Sequence, residues 1–155
     1  METIANPYVN LQLKIPLHEW DAVRRFTTTF RREDGENADI DRSPFGRYVD
    51  LWWTAMCLGV RAGAKSVPPK WHDFITGAVL NQDPWRVRQL ELIALAEAGT
   101  KVLEDPGEVI NIANQHAAAG IGTLIDTMTG QTEPIWALTD LLRSIVEETI
   151  QRTLS

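Results

Sequence analysis

Residues 43–69 read "SPFGRYVDLWWTAMCLGVRAGAKSVPP", and the fold turns on how this stretch is read. Phe45, Val49, Trp52, Met56 and Val60 recur at three- and four-residue spacing, and Tyr48, Leu51, Ala55 and Leu58 form a second such row. Arg47, Asp50, Thr54 and Arg61 make a narrow polar stripe between them. A helix apolar around most of its circumference belongs in the middle of a core. Ser43 before Pro44 has the form of an N-cap followed by a first-turn proline, so the helix is expected from about Pro44. Gly59 and Gly63 either admit a second helix at close range or, for Gly63, end this one. Pro68 and Pro69 stop any continuation.

On the N-terminal side, "YVNLQLKIP" (8–16) alternates cleanly. Val9, Leu11, Leu13 and Ile15 fall on one side, and Asn10, Gln12 and Lys14 on the other, the period-two signature of a half-buried strand ended by Pro16. The pattern supports no second strand. A lone strand needs a partner for its edges, so pairing with the same strand of another molecule, a homo-oligomer through the N-terminal strand, is expected. Residues 17–32 place Trp20, Val23, Phe26 and Phe30 at helical spacing, and the polar run 32–42 reads as a loop. The remainder reads as helices at 70–82, 83–99, 105–130 and 133–154. Asp83–Pro84 and Asp105–Pro106 start two of them, and Gly99 and Gly130 end the same two.

Short joints between capped helices predict a helical bundle. The expected fold is mainly α: one strand at about 8–16, then about six helices. The 155 residues are read as a single domain, with a strand and two helices in 8–66 and a four-helix acidic part in 70–155. A chain of this size buries roughly 70% of the surface it exposes when unfolded, enough for a core.

Composition narrows the function. The 44% hydrophobic and 23% charged residues are ordinary for a globular chain. No apolar run reaches the ~18 residues of a membrane span. The start, "METIANPYVN", lacks a basic region followed by an apolar run, so no secretory signal and a cytoplasmic location are expected. The single cysteine, Cys57, excludes an internal disulfide, and its place in an apolar helix predicts a buried, inert thiol. Net charge is −6, unevenly placed: residues 1–70 carry 10 Lys/Arg against 9 Asp/Glu, and residues 71–155 carry 5 against 12. Phosphate contact needs local positive charge, so any nucleic-acid contact must come from the N-terminal half.

No motif in the chain carries catalytic chemistry. His18, His72 and His116 lack the i, i+4 pairing of a zinc helix and are expected to be surface or satisfied residues. "AAAGIG" (117–122) lies within a helical pattern, where small residues signal a close helix crossing. Asp50 and Arg47 on one stripe read as a local ion pair. The six tryptophans are spread over different elements and are expected to fill the core or an interface. The chain is read as no enzyme, with no metal and no cofactor.

Two resemblances add to this reading. A short strand alternating apolar residues with Asn10, Gln12 and Lys14, then two helices, resembles the ribbon-helix-helix family over residues 8–62. The resemblance implies strands of two chains paired as an antiparallel ribbon, with Asn10, Gln12 and Lys14 in the DNA major groove. Arg24, Arg25, Arg31 and Arg32 would then contact phosphate. Here the 32–42 loop is longer than usual, the strand carries a single base, and the chain is acidic. Separately, Phe45, Tyr48, Asp50, Leu58, Gly59, Gly63 and Pro68 stand in an order similar to that of small proteins associated with Dnd DNA-sulfur-modification systems and neighbouring phage-defence islands. That similarity implies an accessory role and no active-site residues. The expected function is a non-enzymatic accessory or adaptor subunit of a bacterial antiphage or DNA-modification system. It would self-associate and contact a larger nuclease, helicase or ATPase. The alternative is a ribbon-helix-helix transcriptional regulator that binds DNA through its N-terminal half.

Overall fold

The computed structural model describes residues 5–28 and 41–155. In chain order it contains β1 (Gln12–Pro16), a 3-10 turn (Leu17–Glu19), α1 (Trp20–Arg25), α2 (Tyr48–Ala62) and β2 (Trp71–Thr76). A 3-10 segment (Gly77–Gln82), α3 (Trp85–Ala98), a second 3-10 segment (Thr100–Glu104), α4 (Pro106–Met128) and α5 (Pro134–Leu154) follow. The chain is mainly helical, as the pattern predicts.

The quoted stretch is the central helix. Val49, Leu51, Trp52, Ala55 and Met56 of α2 are buried, with Trp52 and Met56 at 0% exposure. The long helix α4 packs along it, burying Ile110, Ala113, Ala117, Ile121, Leu124 and Met128 at helical spacing. Small residues set the crossing distance. A Cβ built on Gly59 would stand 2.0 Å from the His116 carbonyl oxygen, and one on Gly120 would stand 1.9 Å from the Ala55 carbonyl oxygen. Only glycine lets these two backbones touch. Gly63, at φ 64°, ends α2 in the left-handed conformation, and its N–H reaches the Val60 carbonyl.

The N-terminal boundary of α2 differs from expectation. The helix starts at Tyr48, behind Arg47 in an extended conformation, and no side chain caps it. Ser43 donates instead to the Arg25 carbonyl at 2.7 Å. Phe45 exchanges backbone bonds with the end of the preceding helical segment: Thr28 N–H to Phe45 O, and Phe45 N–H to Phe26 O. Residues 43–47 are thus an extended tie, because their polar groups find partners across the chain rather than within a first turn.

The larger correction concerns the strand. β1 is not alone: it pairs antiparallel with β2, from Gln12 opposite Thr76 to Pro16 opposite Trp71. Residues 70–82, expected as a helix, are this strand followed by a 3-10 segment. Phe74 is the extra residue of an irregularity between Leu13 and Lys14. The skip gives Trp71, Phe74 and Ile75 a spacing of three and four along the chain, which imitates a helix while the backbone is extended. The strand also starts later than expected: residues 7–10 form a turn. Val9, assigned to the inward side, is 37% exposed, while Leu13 and Ile15 are buried as predicted.

The other edge of β1 is closed by side chains. Lys14 N–H donates to Asn114 Oδ1 at 2.8 Å, and Asn114 Nδ2 donates to the Gln12 carbonyl at 3.2 Å. Trp52 Nε1 donates to the Lys14 carbonyl at 3.1 Å. The reason for expecting this strand to pair with a second molecule, backbone groups without partners, is therefore removed within one chain. The parts assigned to 8–66 and 70–155 interlock through both the β1–β2 ribbon and the α2–α4 crossing.

The remaining helices follow the pattern more closely. Asp105 caps α4 by accepting from Glu108 N–H, with Pro106 in the first turn. α3 runs to Ala98 and ends at Gly99, φ 82°, but the Asp83 side chain does not cap it. Among the described residues no helix is long and apolar enough to cross a membrane.

Candidate interaction sites

Asn10, Gln12 and Lys14 do come together. They line a cleft of about 380 Å³ together with Trp71 of β2 and Asn111 and Asn114 of α4. Asn10 lies in the turn before β1 rather than on the strand. Lys14 pairs with Asp73 across the ribbon at 3.8 Å, so its charge is balanced locally. Arg25 is exposed, with its guanidinium 5.9 Å from the Phe26 ring centre, and Arg24 is half-buried on the same short helix. Neither lines the cleft. Arg31 and Arg32 lie outside the described residues. The three strand-side residues thus share a concave, amide-rich surface rather than the convex face of a two-chain ribbon.

A second cluster grows from the polar stripe of α2. Arg47 binds Asp50 through two nitrogens, each at 2.9 Å, the local pair expected from the sequence. The structure extends it: Arg47 also reaches Asp83 at 2.9 Å, and Arg86 of α3 reaches Asp50 at 2.9 Å. Burial alone would push the Asp50 carboxyl up, but hydrogen bonds from Arg47 and Arg86 outweigh it and hold the carboxyl below its usual value. Arg86 is 8% exposed, with its guanidinium 5.0 Å from Trp53 and 5.2 Å from Trp85. Two cations and two carboxylates in this arrangement neutralise one another, and the indoles supply the rest of the cation's environment. The chemistry is that of a clamp joining α2 to α3. Asp83 was read from the sequence as a helix cap and instead joins this cluster, while Arg86, one residue after Trp85 and three after Asp83, was not singled out.

Cys57, expected buried, is exposed on the same helix. Desolvation by surrounding atoms raises its thiol, with the Arg86 charge opposing, so the thiolate is not favoured. His18 stands 3.6 Å from Glu19, and the His72 ring lies 4.3 Å from that of Trp20. Among the described residues no group of three or more His, Cys, Asp or Glu is placed to hold a metal.

His116 is the third feature. It is 5% exposed, and both ring nitrogens face acceptors: Nδ1 lies 2.7 Å from the Ala64 carbonyl and Nε2 lies 2.8 Å from Glu97. Glu97 also pairs with Lys65. Desolvation would raise the Glu97 carboxyl, but the bonds from Lys65 and His116 prevail and lower it. With neither nitrogen open to a substrate, His116 joins α4 to α3 and to the turn after α2, the satisfied histidine the sequence predicts. This node stands at one end of an apolar groove of about 480 Å³ lined by Val60, Gly63, Leu92, Ile93 and Ala96. Leu92, at its rim, is 55% exposed.

The fourth feature is α5. Pro134 and Leu138 are buried, and Ile135 N–H donates to the Asp41 carbonyl at 3.1 Å, so the first turns are docked. Further along, Arg61 of α2 pairs with Glu148. The outer side carries Leu142, Val146, Ile150 and Leu154 at four-residue spacing, exposed by 41%, 56%, 52% and 83%. The apolar residues of this helix are therefore only partly covered. Comparison with protein-family models, with curated proteins and with solved structures finds no match.

Proposed function

We propose that this chain is a non-enzymatic accessory subunit that works through protein–protein contacts and self-association, in a bacterial antiphage or DNA-modification system. The uncovered row on α5 carries the reading. Four large aliphatic residues in one line cost free energy in water, and contiguous exposed apolar patches mark association surfaces. The defence setting is supported by the residue order of 43–69, from Phe45 to Pro68. The charge clamp and the histidine node fit a scaffold, since each spends its polar groups on joining helices. The test is tagged purification from the native host, comparing the intact chain with Val146→Glu. A nuclease, helicase or ATPase retained by the intact chain and lost with the variant is the expected result. A wild-type chain that recovers neither itself nor a partner overturns the reading.

A second reading, a DNA-binding regulator, is supported by one observation: Asn10, Gln12 and Lys14 share one surface. Here a single-chain ribbon would have to enter the groove. Duplex DNA shifted at low salt, with the salt slope reduced by about one unit in Lys14→Ala, is the outcome this reading requires.

A further inference from the structure

We infer that the polar cleft lined by β1, Trp71 and the first half of α4 is a binding site for a neutral adenine-type base, free or as its nucleoside. The site takes a small molecule and requires neither reading above. Its volume, about 380 Å³, lies at the lower end of small-ligand pockets and suits one ring system rather than a polymer.

Three observations select that chemistry. First, the lining is divided as a base is divided. Leu11, Trp71 and Ile110 supply apolar surface for a ring face, and the carboxamides of Asn10, Gln12 and Asn111 supply paired donors and acceptors for a ring edge. A hexose, hydroxylated around its rim, would set hydroxyls against Leu11 and Ile110. Second, the carboxamides are unspent. Among the described residues the side chains of Asn10 and Gln12 and the indole N–H of Trp71 take no protein partner, and Asn111 makes a single long bond, 3.5 Å, to Glu108. A carboxamide matches the adjacent donor and acceptor of adenine, whereas guanine calls for Arg or Lys and cytosine for Asp or Glu. No carboxylate lines the cleft, and Lys14, its one cation, is balanced by Asp73 at 3.8 Å. Third, the same balance argues against a phosphate. No uncompensated charge is left for one, and at the start of α4 the Glu108 N–H is already taken by Asp105 at 3.2 Å. The backbone that carries Gln12 is also set in advance. Asn114 holds the Lys14 N–H at 2.8 Å and the Gln12 carbonyl at 3.2 Å, so a ligand meets a fixed strand edge.

The experiment is a heteronuclear NMR titration of the full chain with adenosine, against guanosine, cytidine, adenosine monophosphate and glucose. Adenosine should give saturable shifts below about 1 mM, centred on the side-chain amides of Asn10 and Gln12 and on the Trp71 indole N–H. Asn10→Ala and Gln12→Ala should each weaken adenosine about tenfold, the loss of one edge contact, at an unchanged melting temperature. Asn10 is exposed in a turn, so its variant reads the site even if Gln12→Ala disturbs the strand. Absence of saturable shifts overturns the inference, as does a preference for glucose or an equal response to guanosine and cytidine. Tighter binding of the monophosphate overturns the assignment of a neutral ligand. Adenosine shifts that survive both substitutions would put the ligand elsewhere and sink the site.

Discussion

Asn114 is one polar side chain that sets the position of a whole strand. It lies 3% exposed on α4 and offers β1 one acceptor and one donor, as a neighbouring strand would. Asn114→Ala would leave the Lys14 N–H and the Gln12 carbonyl without partners at a partly buried edge. Each orphaned group costs about 1–3 kcal/mol, so the expected loss is about 2–6 kcal/mol, read as a lower urea midpoint with an unchanged slope. An unchanged midpoint would mean that water replaces the amide without cost. The sequence did not reveal this residue. Asn114 lies among Ala113, Gln115 and His116, and its meaning depends on a strand one hundred positions earlier. Trp52, by contrast, was legible, because its own helix places it on the inward row whatever its partner is.

The crossing of α2 and α4 is the best-determined feature between elements. Gly120→Ala adds one methyl carbon, yet that carbon would lie 1.9 Å from a backbone oxygen, which no side-chain rotation relieves. The helices must separate, so the penalty should exceed the 1–3 kcal/mol typical of overpacking and give fragile or insoluble protein. A Cβ at Gly122 would meet only open space, and Gly122→Ala is the matched control, expected to melt near the wild type. A Gly120→Ala protein as stable as that control would refute the tight crossing. "AAAGIG" announced this contact, since small residues cluster where backbones meet. β2 was not legible for an equally local reason. Its irregularity at Phe74 broke the alternation that marks a strand and left a helix-like spacing in its place. The polar cleft was half legible: Asn10, Gln12 and Lys14 were found by alternation, whereas Trp71, Asn111 and Asn114 became visible only once β2 and α4 were placed beside them.

For the whole molecule, the depressed carboxyls of the two part-buried charge clusters tie stability to pH. Asp50 and Glu97 are each buried enough to be raised, yet their cationic partners lower them. A carboxyl whose folded value lies below its unfolded one contributes stability above the unfolded value, ordinarily 3.8 for Asp and 4.5 for Glu. That contribution is lost as pH falls through the lower folded value. The melting temperature should therefore fall on acidification below about pH 4.5, and Glu97→Gln should remove part of the dependence. Identical acid profiles for the two proteins would assign the loss to other groups. The far half of α5 adds a different dependence, on ionic strength. Its first turns share the core, whereas the segment around Glu148 is tied to the body by a surface ion pair with Arg61. Salt screens such a pair without touching Leu138. Hydrogen exchange along α5 should then split in two as salt rises, faster beyond residue 145 and unchanged near 138, so the last helix would behave as a latch whose grip is set by the counterions around it.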